Sequence, residues 1–166
     1  MNYWNIILGN ICSLLAMGSD SLSSAQPTTK RVLWMQNLSQ SIYCIGAILL
    51  RGYSAAVQNA VSILRNLVAI KGISQKWMEW GLTLLGVALG VVLNNLGWIG
   101  LLPVIANLQY TIVIFRFRGN EKILKTSFFV NSLMFAVFNG AIWSIVGIVT
   151  NLVVAASTAI SLIKSK

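Results

Sequence analysis

Residues 80–115 contain no charged side chain, and neither do residues 126–163. These runs of 36 and 38 residues are about 54 and 57 Å long as helix, at ~1.5 Å per residue. The hydrocarbon core of a bilayer is ~30 Å thick and takes about 20 helical residues. Each run is too long for one crossing and has to turn back once. Asn and Gly are turn formers, which puts the breaks at Asn94-Asn95-Leu96-Gly97 and at Asn139-Gly140. Shorter runs precede them: one before Asp20, one between Arg31 and Arg51, and one from Gly52 to Ile70 that only Arg65 interrupts. The expected spans are residues 3–19, 33–50, 53–70, 78–94, 97–115, 124–140 and 143–163.

Only 9% of the chain is charged and 57% is hydrophobic, against about 25% charged in a soluble domain. Too few charges remain to cover a water-soluble globule of this size. The expectation is an all-α integral membrane protein with one membrane domain. Residues 1–71 form a first three-helix repeat, 77–95 a linker helix and 97–166 a second three-helix repeat.

Twelve Lys and Arg against three Asp and Glu give a formal +9. The cations stand one or two at a time between apolar runs, whereas a phosphate-binding face needs them clustered, so no nucleic-acid partner is expected. Lys30, Arg31, Lys71, Lys76, Arg116, Arg118, Lys122, Lys125, Lys164 and Lys166 fall on alternate connections or the tail, ten of the twelve on one side. The positive-inside rule then puts the C-terminus in the cytoplasm and the N-terminus outside. Met1-Asn2-Tyr3-Trp4 lacks the positive region of a signal peptide, so the first run reads as a retained span. Trp4, Trp34, Trp77, Trp80, Trp98 and Trp143 fall near span ends, as an aromatic belt requires.

Absences narrow the chemistry. The chain has no His, which removes His-based acid/base work and serine-hydrolase triads. Cys12 and Cys44 sit inside apolar runs and read as small buried hydrophobes. No metal-ligand spacing occurs, so no metal and no cofactor are expected, and no nucleophile–base constellation marks an enzyme. Asp20 and Glu79 sit at span ends and Glu121 in a loop, and coupled carriers generally use an acidic group at membrane depth.

Gly46-Ala47-Ile48 recurs as Gly140-Ala141-Ile142, an offset of 94 that also sets Asn37 opposite Asn131 and Arg31 opposite Lys125. With a hairpin two residues shorter in the second copy, Asn59 falls opposite Asn151. Spans 1–3 and 5–7 share an orientation because span four supplies an inversion. That is a parallel repeat about the membrane normal, one of the known carrier plans.

The stretch from Gly52 through Asn66, GYSAAVQNAVSILRN, and Gly100-Leu101-Leu102-Pro103-Val104-Ile105-Ala106 resemble the bacterial inner-membrane proteins of the YgjV type. The resemblance runs from about Gly9 to Ile163. The layout is similar to SWEET sugar carriers and to bacterial nicotinamide riboside carriers. In SWEET proteins an Asn of the third span faces one of the seventh across a central pocket, which implies those roles for Asn59 and Asn151. The chain departs from the SWEET pattern: Gln26-Pro27 lies in a loop and only Pro103 lies in a span, so sugar specificity does not carry over.

Polar groups in hydrocarbon usually face the bundle interior. Asn59, Ser62 and Asn66 share one face of span three, and Gln58, Ser62 and Arg65 the adjacent one. Asn37, Asn107, Asn131 and Asn151 add amides on spans two, five, six and seven. They form either a solute pocket lined by amides and hydroxyls or interhelical bonds that hold the bundle, worth about 0.6 kcal/mol each. Arg65 either snorkels to the inner interface, or gates the inner mouth or meets an anionic group. Gly86 and Gly90 form a GxxxG pair, suited to packing within the chain or to a homodimer.

The expected function is a carrier of a small neutral polar solute (a sugar, nucleoside or vitamin-like molecule) by uncoupled alternating access. Asn59 and Asn151 bind the solute, and Asn37, Asn107, Asn131 and Arg65 line its path. The alternatives are a substrate-binding membrane subunit of a larger complex and a non-transporting membrane protein. The expected partners are the lipid bilayer and the solute.

Overall fold

Long runs without internal Gly-Pro punctuation have one way to satisfy every backbone group without water, which is helix. The computed structural model describes residues 2–24, 29–71, 76–116 and 121–164, all-helical apart from turns. The segments are α1 (Tyr3–Ser24), α2 (Thr29–Leu49), α3 (Tyr53–Ile70), α4 (Lys76–Val92), the single turn α5 (Gly97–Gly100), α6 (Leu102–Arg116), α7 (Glu121–Ala141) and α8 (Ile145–Lys164). Gln26, Pro27, Arg118 and Lys166, which carried parts of the loop reading, lie outside the described residues.

The expected fifth span is two pieces, α5 and α6, parted at Leu101. Pro103 sits in the first turn of α6, where its missing N–H would be unpaired in any case. The break expected at Asn94–Gly97 is there. The break expected at Asn139-Gly140 comes later, because α7 runs on to Ala141 and the chain reverses at Trp143.

Among the described residues no helix is long and apolar enough to cross a membrane. Helix length and hydropathy therefore do not by themselves mark the seven expected spans. Length or polarity limits three of the helices. α4 has 17 residues and α6 has 15, about 25 and 23 Å at ~1.5 Å per residue. The 18 residues of α3 are diluted by Gln58, Asn59, Arg65 and Asn66.

Packing runs along two rows, α1–α2–α3 and α6–α7–α8. The rows are joined at two seams, α3 against α6 and α8 against α1, while α4 lies against both α3 and α6. Exchanging α1 with α6, α2 with α7 and α3 with α8 returns the same set of contacts in the two rows and seams.

The distribution of side chains is inverted relative to a water-soluble protein. Among the described residues thirty-five large hydrophobic side chains are exposed, all six tryptophans included. Of the eleven buried hydrophobic residues among them seven are alanine, and eleven buried residues are polar. Small residues inside with large apolar ones outside is how helices pack where the surroundings are as apolar as leucine. The main apolar cluster, Ala47, Leu50, Ala55, Ala56, Phe138 and Ile142, with Leu96 and Leu102 against it, closes the end where α2 meets α3 and α7 meets α8.

Candidate functional site

Arg51 and Trp143 have φ of 58° and 60°, the left-handed residue that ends a helix in a Schellman turn. The pattern of bonds is the same at both. Gly52 N donates to Ala47 O at 2.7 Å and Arg51 N to Ile48 O at 3.0 Å; Ser144 N donates to Asn139 O at 2.9 Å and Trp143 N to Gly140 O at 3.3 Å. The two turns lie 92 positions apart. That register carries Asn59 onto Asn151, as the sequence had it, and pairs buried Leu50 with buried Ile142. It leaves the 94-residue match of Asn37 with Asn131 two residues out of phase with the turns.

Each turn is held from outside its own row. Nδ2 of Asn95, just ahead of α5, donates to Arg51 O at 2.8 Å. Nδ2 of Asn10, on α1, donates to Trp143 O at 2.9 Å, and its Oδ1 accepts from Val146 N at 3.0 Å. Asn10 thus caps the first turn of α8 and accepts one of the N–H groups that a helix start leaves unpaired.

The seams below these turns also correspond. In the α1–α8 seam the Ser13 and Ser144 hydroxyls lie 3.2 Å apart, and Thr150 Oγ1 donates to Met17 Sδ at 3.0 Å. In the α3–α6 seam Asn107 Nδ2 donates to Gln58 Oε1 at 3.2 Å. Gln58 and Thr150 lie 92 positions apart, and Met17 and Asn107 lie 90 apart, so equivalent helices present equivalent levels. The second seam is the richer one because α4 joins it: Gln58 Nε2 also donates to Gly86 O at 2.8 Å.

Glycine makes that third contact possible. A Cβ on Gly90 would stand 2.6 Å from Val104 Cγ2 and 2.7 Å from Gln58 Nε2, and one on Gly86 would stand 3.3 Å from Val61 Cγ1. Gly86 faces α3, and Gly90 faces both α3 and α6. Between α3, α4 and α6 lies a partly open cleft of about 20 Å³ lined by Gln58, Ser62, Arg65, Thr83, Asn107 and Thr111 among others.

The residues expected to form the site are distributed as follows. Arg65 and Asn107 meet at this cleft. Asn131 Nδ2 donates to Ala106 O at 2.9 Å, one residue from Asn107 on α6. Asn151 Nδ2 donates to Gly147 O of its own helix at 2.8 Å. Asn59 is partly buried on α3, and among the described residues no hydrogen bond joins it to Asn151. Asn37 is buried, and neither its Nδ2 nor its Oδ1 has a hydrogen-bond partner among the described residues.

Asn10, Gln58 and Asn95, which bridge helices, were not singled out as site residues by sequence. Gln58 had a usable signal, because it shares a face with Ser62 and Arg65. Asn95 read only as a turn former. Cys12 and Cys44 are free, and Cys44 Sγ donates to Ala56 O at 3.4 Å. Among the described residues no group of His, Cys, Asp and Glu could hold a metal ion.

A family model described as bacterial inner membrane protein, Imp-YgjV, matches residues 7–166. No curated protein and no solved structure matches the chain.

Proposed function

The chain belongs to the Imp-YgjV family of bacterial inner membrane proteins, and from that premise we propose a multi-pass carrier of a small neutral polar solute. The two rows of three helices act as halves that rock about a site between them, with α4 as the inverting linker. Asn59 and Asn151 are the binding pair, and solute moves down its gradient without ion coupling. The chain crosses seven times, with the N-terminus outside and the C-terminus in the cytoplasm.

The observation that carries this reading is the correspondence of the halves. Two left-handed turns at an offset of 92 are each held by an asparagine from outside their own row, Asn10 of α1 and Asn95 of the α4–α5 connection, and the seams interchange when the rows do. A repeat of this kind offers two alternative packings of similar energy, which alternating access needs. Asn37 supports it further. A buried amide with neither atom bonded is costly, and a bound polar solute or a second packing would satisfy it.

The inverted surface supports the membrane placement. Short helices such as α4 and α6 fit a bilayer by local thinning and by flanking Trp, Lys and Arg reaching for the interface. Neutral solute follows from the amide and hydroxyl lining; lack of coupling follows from acidic residues at span ends only. One observation favours the non-transporting reading: Asn10, Asn95, Asn107, Asn131 and Asn151 all donate to groups within the chain, as packing amides would.

The test is uptake of solute by proteoliposomes holding the wild-type chain, Asn59→Ala or Asn151→Ala. Each substitution is expected to lower uptake by at least tenfold, the worth of about 1.4 kcal/mol of lost solute bonding. Uptake unchanged in both variants overturns the site assignment.

A further inference from the structure

The cleft between α3, α4 and α6 gathers Arg65 and Asn107, which the carrier reading places only along the solute path. We propose that it is a binding site for an oxyanion of the phosphate type, with Arg65 as its cation. Arg65 is partly buried five residues before α3 ends at Ile70, and among the described residues that line the cleft none is acidic. A guanidinium has five N–H donors in a planar fork that matches carboxylate and phosphate oxygens, and one held in a poorly hydrated cleft is stabilised by an anionic partner.

The rest of the lining is made of neutral polar groups. Ser62 and Thr111 are buried hydroxyls, with the Thr83 hydroxyl from α4 and the Asn107 amide from α6 beside them. Gln58 is fixed to both neighbours, donating to Gly86 O and accepting from Asn107, so the floor of the cleft is held in place before any ligand arrives. Hydroxyls and amides around a single arginine complete the hydrogen bonds of an oxyanion without adding a second charge.

Size decides between a whole solute and one group of a larger ligand. The cleft's space of about 20 Å³ holds one water-sized group, too little for a sugar ring. One oxygen of a phosphate fits inside while the remainder stays at the mouth. Two sources of that chemistry exist: the headgroup of an anionic phospholipid, abundant on the cytoplasmic leaflet, and free phosphate or a phosphate ester. Either one would tie α3 to α6 and α4, and so bind both rows and the linker together.

The full-length chain is placed in phosphatidylcholine nanodiscs, in nanodiscs containing phosphatidylglycerol, and in phosphatidylcholine nanodiscs titrated with inorganic phosphate. The thermal midpoint and the bound lipid seen by native mass spectrometry are read. The wild-type midpoint is expected to rise with phosphatidylglycerol, with phosphate or with both, and the responding arm identifies the source. Arg65→Gln is expected to lose that rise, and Asn107→Ala to weaken binding by roughly tenfold. Lys71→Gln, which removes an exposed cation outside the cleft, is expected to keep it. If Arg65→Gln does not fold, Arg65→Lys takes its place and is expected to bind roughly tenfold more weakly. A wild-type chain that responds to neither source overturns the proposal. So does a loss of response in Lys71→Gln as large as that in the Arg65 variant, or a rise of equal size with chloride. None of these readouts involves transport, so a carrier that fails its uptake test leaves this site standing, and the reverse holds.

Discussion

Asn10 makes three contacts with two amide atoms: Nδ2 to Ile6 O of its own helix and to Trp143 O, and Oδ1 from Val146 N. Two of the three cross to the other row. Removing a side chain that leaves partly buried backbone groups unpaired costs about 1–3 kcal/mol. Asn10→Ala is expected to lower the thermal midpoint in detergent, and Asn95→Ala, whose reach to Arg51 O is a single more exposed bond, to lower it less. Calorimetry or a fluorescence melt checks the order. A midpoint in Asn10→Ala equal to the wild type would remove the cross-row brace. Neither role was legible beforehand, because an asparagine near an apolar helix start announces a polar contact but not whose backbone it meets.

At the level of helices, the close approach of α4 is set by Gly86 and Gly90, while Gly81 on the same helix has nothing within 4 Å of an added Cβ. Gly90→Ala forces a methyl against Val104 and Gln58, and overpacking of that kind costs about 1–3 kcal/mol. Gly81→Ala meets open space and gains helix propensity, about 1 kcal/mol at most. The two single-methyl changes should move the thermal midpoint in opposite directions. If both raise it, α4 does not pack as described. Most elements were legible in the sequence: α3 fills the run that Arg51 and Lys71 bound and only Arg65 interrupts. The end of α7 was not. Asn139-Gly140 has the composition of a turn, yet Asn139 O becomes the acceptor of the capping bond and Trp143, a residue seldom found at positive φ, makes the reversal. The tripeptide repeat misled by two residues for a related reason, because apolar triplets recur by chance whereas a left-handed turn fixes register.

For the whole molecule, composition already dictated apolar surroundings, and the family places the chain in a bacterial inner membrane. Which helices pair across the two rows was beyond the sequence, since the α1–α8 and α3–α6 seams join residues more than a hundred and about fifty positions apart. The proposed topology has its own check. In a chain with Cys12 and Cys44 replaced by alanine, a cysteine at the exposed Trp98 should react with an impermeant maleimide on intact cells. One at the exposed Lys71 should react only after permeabilisation. Labelling of both from outside contradicts the orientation. The carrier claim itself is tested most directly by counterflow in proteoliposomes across a panel of sugars, nucleosides and vitamins, with and without a protonophore. The account predicts exchange of at least one neutral solute, unaffected by the protonophore and lost in Asn59→Ala and Asn151→Ala; no exchange above protein-free vesicles for any solute would contradict it.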